Sequence, residues 1–215
     1  MKYQFHHQIA IEGCVGAGKT TWARALASAR QTCFVLEDFD KNPFLSAFYA
    51  DPVGNVLETE LQFLLTHYHQ LKQIPLRSNK VTETITDFAF FKDIIFADTN
   101  IMDHAEKRMF DTLYNFLSAK LRPPDLVIYL RGSDKLILDR IRQRNRSMEM
   151  QIDEAYFIRL NRAYEHFFSR FEGSLRIVDA DQWDCMTQNE AVQEISKVID
   201  SAMGVQRGLN VHTNP

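Results

Sequence analysis

One stretch restricts the possible folds more than any other: Gly13, Cys14, Val15, Gly16, Ala17, Gly18, Lys19 and Thr20, with apolar Ile9-Ala10-Ile11 before it and Thr21-Trp22-Ala23-Arg24-Ala25-Leu26 after it. A buried strand, a glycine-rich turn of G-x-x-x-x-G-K-T spacing and a helix opening at Lys19 together make a cradle for a polyphosphate such as ATP. Glycines let backbone N–H groups close around phosphate oxygens, and the helix start adds the positive end of its dipole. Lys19 reaches the outer phosphates, the Thr20 hydroxyl can ligate Mg2+, and Thr21 continues the loop into the helix.

Such a unit calls for a parallel sheet with crossover helices, and the rest of the chain supplies the strands. Cys33–Glu37, Val81–Asp87, Asp125–Leu130 and Leu175–Asp179 are short apolar runs of parallel-sheet type. Helical periodicity fills Val56–Ile74, about Met109–Leu121, Ser133–Gln143, Ile152–Phe171 and Ala191–Met203. The alternation predicts an α/β fold, a three-layer sandwich around a five-stranded parallel sheet. At 215 residues one domain over 1–203 is expected, with a mobile tail over 204–215 that has little to bury.

Composition narrows the partners. A net charge of −3 gives no basic footprint for nucleic acid, and no apolar run approaches the roughly 18 residues that span a bilayer. Cys14, Cys33 and Cys185 show no paired metal spacing, and with no export signal they suggest reduced thiols in a cytoplasm. The expected partners are small molecules.

Glu37 ends the second strand, on the rim where open α/β sheets bind ligands and where the phosphate loop also lies. Asn42-Pro43-Phe44-Leu45 breaks the chain before a helix through Tyr49. On the 56–74 helix the face opposite the leucines carries Glu60, Gln62, His67 and His69, and the two histidines read as solvated or core-edge side chains because no second cluster completes a metal site. Arg140, Arg142, Arg144 and Arg146 lie within seven positions; in a phosphate-loop protein such guanidiniums can fold over the nucleotide as an arginine lid. A phosphate loop alone fits kinases, GTPases, ATPase motors and inert binding modules. No guanine-reading Asn-Lys-x-Asp motif is present, and the fourth strand runs into Arg131 and not into a Mg2+-holding acid, so a small-molecule kinase is the better reading.

From Ile9 to about Asp184 the chain resembles the deoxynucleoside kinases. The residues that carry the resemblance are Glu37 with Asn42-Pro43-Phe44-Leu45, Phe48-Tyr49 with Asp51-Pro52, the stretch Glu60–Leu65, and Arg140, Arg144 and Arg146 followed by Glu149. The resemblance implies that Glu37 takes the proton of a sugar 5′-hydroxyl, that Tyr49 and Glu149 grip the 3′-hydroxyl, and that Glu60, or else Gln62, reads the base edge. It also implies a homodimer through the helices around 57–73 and 103–121. Phe88 and Phe91 are expected to sandwich the base.

One departure stands out: the family's acid-Arg-Ser motif after the third strand is replaced by Thr86-Asp87-Phe88, with Lys92 where many members hold an Asp. Asp87 and Lys92 therefore look like a charge-swapped pair, with Asp87 either an outer-shell Mg2+ partner or a neighbour that fixes Lys92. The expected activity is transfer of the ATP γ-phosphate to a deoxynucleoside, deoxyadenosine first, with deoxyguanosine or deoxycytidine also open. The rivals are a thymidylate-type monophosphate kinase, which should carry an Asp-Arg-Tyr-like third-strand motif, and a module that binds ATP without transferring phosphate.

Overall fold

The computed structural model describes residues 4–51, 54–74, 77–78, 82–146, 152–183 and 187–209. Five parallel strands form the main sheet: β2 (His7–Glu12), β3 (Cys33–Val35), β5 (Glu83–Thr86), β6 (Leu126–Arg131) and β7 (Leu175–Asp179), in the order β3-β5-β2-β6-β7. The strand runs identified from sequence are these strands; the central β2, β5 and β6 are buried on both faces, whereas the edge strands β3 and β7 are partly exposed. A separate antiparallel pair, β1 (Gln4–Phe5) with β4 (Arg77–Ser78), carries no hydrophobic signature and was not expected.

Helices α1 (Lys19–Ala29), α2 (Leu45–Ala50), α3 (Val56–Leu71), α4 (Lys92–Asn100), α5 (His104–Ser118), α6 (Asp134–Arg144), α7 (Glu154–Phe168), α8 (Ala180–Trp183) and α9 (Gln188–Leu209) complete the described architecture. Their starts have local causes. The side chains of Asp103, Ser133 and Asp153 accept hydrogen bonds from first-turn amides of α5, α6 and α7. The helix expected from about Met109 thus begins five residues earlier, at an aspartate cap, and α4 precedes it as a separate helix. The closing helix runs on to Leu209, into the segment expected to be a tail; residues 210–215 lie outside the described residues.

Two apolar clusters hold the fold. One joins the sheet to α1, α6, α7 and α9 around Ile11, Leu26, Ile128, Leu160 and Ile195. The other joins α2, α3, α4 and α5 around Phe48, Leu64, Phe88 and Phe110. Strand register sets the rim between them. Ala10 lies opposite Thr86, and Val35 opposite Thr86 on the other side, so Glu12, Glu37 and Asp87 leave the sheet at the same carboxyl edge. Among the described residues no helix is long and apolar enough to cross a membrane.

Candidate active site

The phosphate loop is fixed from below and open above. Gly13 lies so close to β6 that a Cβ would stand 2.6 Å from the Leu130 carbonyl oxygen. Gly18, at φ 96°, turns the chain into α1 in the left-handed region that favours glycine. Helix α1 therefore starts without a side-chain cap and without an acid in its first turn, leaving its amides for an anion. The Lys19 ammonium meanwhile curls back on the carbonyls of Gly13 and Cys14, at 2.8 and 3.1 Å. The Cys14 thiol is buried and pushed up to about 12 by that burial, so it is packing and not chemistry.

Glu12, which the sequence reading passed over, is fully buried beneath the loop. Its carboxylate accepts from the Ala89 amide at 2.6 Å and from the Gly13 amide at 3.2 Å, tying the loop to the turn after β5. Burial pushes its carboxyl up to about 7, against the opposing pull of Lys19 and Lys92. The only sequence signal was an acid in the last position of an apolar strand.

A cavity of about 420 Å3 runs from this loop into the space between the two apolar clusters. Lys19, Thr20 and Thr21 line one end together with Arg24, Arg144 and Arg146. Glu37, Tyr49, Glu60, Phe63, His67, Lys92, Asp93, Phe96 and Tyr156 line the other. A smaller cavity of about 300 Å3 lies on the outer side of the loop, bounded by Gly16, Gly18, Thr21, Trp22, Arg140 and Arg144. There Arg140 donates to the Ala17 carbonyl at 2.9 Å, and the Trp22 ring meets Trp183 edge-on at 5.8 Å. Arg146 sits over the Phe39 ring at 4.4 Å, while Arg142 turns outward to Glu154 and Asp139. Glu149 falls in 147–151, outside the described residues, as does any lid those residues would complete.

Helix geometry decides which side chains reach the deep end. On α3, Glu60, Phe63 and His67 are spaced i, i+3, i+7, and on α4, Lys92, Phe96 and Asn100 are spaced i, i+4, i+8, so each set shares one face. Gln62 is two residues from Glu60 and therefore points elsewhere, donating to Thr66 at 3.2 Å; the cavity takes Glu60 and not Gln62. The turn before α4 moves the expected stacking residues out of the cavity. Phe88 is wholly buried behind His67, with ring centroids 4.7 Å apart, and Phe91 packs among Phe167, Phe168 and Phe171. The aromatic faces in the cavity belong instead to Phe39, Phe48, Tyr49, Phe63, Phe96 and Tyr156.

His67 also departs from its expected role as a core-edge side chain; His69 is exposed, as expected of it. His67 Nδ1 lies 2.7 Å from Asp93 Oδ1, and Nε2 lies 3.3 Å from Glu37 Oε1. Burial alone would lower this imidazole, but Asp93 and Glu37 outweigh it and push it up to about 9. Glu37 also pairs with the Lys92 ammonium. Burial opposes ionisation of Glu37, yet Lys92 and His67 reverse that and hold its carboxyl well below the usual range. Glu60 accepts from Asn100 at 2.7 Å, and burial raises it to about 8, which keeps it neutral at pH 7. Glu60 Oε2 and Asp93 Oδ2 are buried without a hydrogen-bond partner among the described residues, while His67 Nε2 has only its 3.3 Å contact with Glu37. Buried polar atoms in that state are costly, and both residues line the cavity, where a polar ligand edge would satisfy them.

Asp87 and Lys92 make no direct contact, and Asp87 acts on Lys92 only as a nearby charge. Asp87 accepts from the Thr20 hydroxyl at 2.5 Å and from the Glu37 amide at 2.8 Å, whereas Lys92 faces Glu37. Among the described residues no group of three or more acids, histidines or cysteines forms a metal cage. Mg2+ in phosphoryl-transfer sites uses one or two protein oxygens plus phosphates, so the neighbouring Thr20 and Asp87 oxygens fit it.

A phosphate loop on a five-stranded parallel sheet, with a carboxylate and a buried polar pocket on the same rim, defines a P-loop kinase: a phosphotransferase with room for a second substrate. Residues 9–203 match the family model described as deoxynucleoside kinase, and the chain belongs to that family. It is 29% identical to deoxyguanosine kinase of Bacillus subtilis over 87% of this chain and 93% of the relative. It is 29% identical to deoxyadenosine kinase of Dictyostelium discoideum over 95% and 84%. The structure of deoxyadenosine kinase from M. mycoides, solved with products dCMP and a flexible dCDP bound, superposes with a TM-score of 0.78 at 29% identity, covering 90% of this chain and 98% of that one.

Proposed function

We propose that the chain transfers the ATP γ-phosphate to the 5′-hydroxyl of a deoxynucleoside, with deoxyadenosine the preferred acceptor and deoxyguanosine or deoxycytidine also used, in cytoplasmic nucleotide salvage. The observation that carries this reading is one cavity lined by Lys19 and Thr20 at one end, Glu37 in the middle, and unsatisfied polar atoms between aromatic faces at the other. Glu37 takes the proton of the 5′-hydroxyl, whose oxygen then attacks the γ-phosphorus. The amides of Gly16–Thr20, Lys19 and the arginines 140, 144 and 146 stabilise the transferring group. Thr20, with Asp87 behind it, would hold Mg2+, which would supply charge neutralisation on the phosphates. Tyr49 and Glu149 grip the 3′-hydroxyl. Glu60 reads the base, and the Asp93 carboxylate offers an acceptor for an exocyclic amine.

The reading includes one catalytic domain over 1–203, an arginine lid that closes over the donor, and a homodimer through α3 and α5. Leu65, Met109 and Phe116 are exposed on those two helices, an apolar stripe that supports the dimer. A transfer assay with ATP and Mg2+ against the four deoxynucleosides tests the function. The expected result is highest kcat/KM for deoxyadenosine; a clear lead for another base overturns the preference, and no product from any overturns the kinase reading.

A further inference from the structure

Lys92 opens α4 and is 7% exposed, a rare place for an ammonium unless it is paired. It pairs directly with the Glu37 carboxylate and lies 5.3 Å from the centroid of the Phe96 ring, with the charges of Glu12 and Asp87 attracting it from further off. An ammonium clamped on a carboxylate makes that carboxylate a poor proton acceptor, so the resting arrangement is not the one in which Glu37 receives a proton. Glu37 does not need Lys92 to stay in place: His67, braced by Asp93 at 2.7 Å, faces the same Glu37 oxygen at 3.3 Å. Its backbone amide is held by Asp87 at 2.8 Å.

The other charges on the rim are already engaged. Asp87 accepts from Thr20 and Glu37, Glu12 accepts from Gly13 and Ala89, and Lys19 lies on the carbonyls of the loop. Lys92 lies near enough to Lys19 that the two ammoniums repel, Lys92 adding to the burial that lowers Lys19. A half-buried cation, Lys19, and a buried one, Lys92, thus converge on the space between the phosphate loop and Glu37. That space is where a phosphoryl group must pass on its way to an oxygen held at Glu37, and its spread negative charge is what such a pair neutralises.

We propose that Lys92 is a catalytic residue for this transfer: in the ternary complex its ammonium leaves Glu37 for the acceptor 5′-oxygen and the transferring phosphoryl oxygens. One movement thereby frees the base and supplies the charge. The O–H bond of the 5′-hydroxyl breaks and its proton goes to the Glu37 carboxylate. The bond from the 5′-oxygen to the γ-phosphorus forms, and the bond to the β,γ-bridging oxygen breaks with its electron pair leaving on ADP. Lys92 keeps all its protons throughout. The inference rests on the kinase reading above.

The test is steady-state transfer to deoxynucleoside by the wild type, Lys92→Met, Lys92→Ala with added ethylammonium, and Lys92→Arg. Lys92→Met is expected to lower kcat roughly 10²–10³-fold with both KM values within about threefold, the pattern of an interaction made in the transition state. Ethylammonium is expected to restore Lys92→Ala in a saturable way. Wild-type kcat in Lys92→Met, or a loss confined to KM, overturns the proposal. If Lys92→Met does not fold, Lys92→Arg decides: kcat lowered about tenfold or more at an unchanged melting temperature supports a directed contact, and wild-type kcat overturns it. A wild type that phosphorylates no deoxynucleoside overturns the kinase reading itself.

Discussion

The two ends of the transfer cavity are built by different means. The phosphate end is one continuous segment, Gly13–Thr21, whose binding groups are mostly backbone amides held by a strand behind and a helix in front. The far end is assembled from side chains on the loop after β3 and on α2, α3, α4 and α7, which meet only in the folded chain. Backbone recognition depends on spacing alone, whereas side-chain recognition depends on which face of each helix turns inward. On the proposed function, the first end is accordingly generic for a triphosphate, and the second sets what receives the phosphate.

Substitutions should separate the two ends. The largest effect is expected for Lys19→Ala, which should lower transfer roughly 10³-fold and weaken ATP binding, while leaving deoxynucleoside binding by calorimetry nearly intact. A matching loss of nucleoside affinity would show the ends to be coupled. Glu37→Gln, between them, should lower kcat roughly 10²-fold with ATP affinity retained; unchanged turnover removes Glu37 from the base role.

Within the far end, Phe96→Ala should raise the deoxynucleoside KM about tenfold through lost stacking, with the ATP KM unmoved. Phe88→Ala should instead destabilise the fold by about 3–5 kcal/mol, seen as a lower melting temperature, because its ring is core and not cavity wall. The smallest effect is on the pH dependence of stability. Glu60 is raised from 4.5 to about 8, and His67 from 6.5 to about 9. Between pH 4.5 and 8 for Glu60, and between 6.5 and 9 for His67, the folded state binds more protons than the unfolded one, so stability from both falls as pH rises. The melting temperature should therefore drop between pH 6.5 and 9, and Glu60→Gln, which cannot ionise, should shrink that drop by a few degrees, at about 2–4 °C per kcal/mol.

What could be read from sequence follows the same division. The strands, the phosphate loop and the place of Glu37 on the rim depend on local spacing, and the sheet order brings Glu12, Glu37 and Asp87 to one edge. His67 and Asp93 carry no local signature: their roles exist because α3 and α4 pack face to face, and period alone left His67 equivalent to exposed His69. Phe88 and Phe91 drew attention by density in sequence. The turn before α4 sends both into the core and gives the wall to Phe96, one helical turn past Lys92.

The edge-on contact of Trp22 with Trp183 has a practical side. These are the two tryptophans of the chain, and Trp22 borders the cavity on the outer side of the phosphate loop, while neither borders the cavity of Glu37 and Glu60. Intrinsic fluorescence excited at the indoles is thus expected, on the proposed function, to report on the phosphate side alone, following arrival and departure of the donor nucleotide while the acceptor comes and goes in the dark.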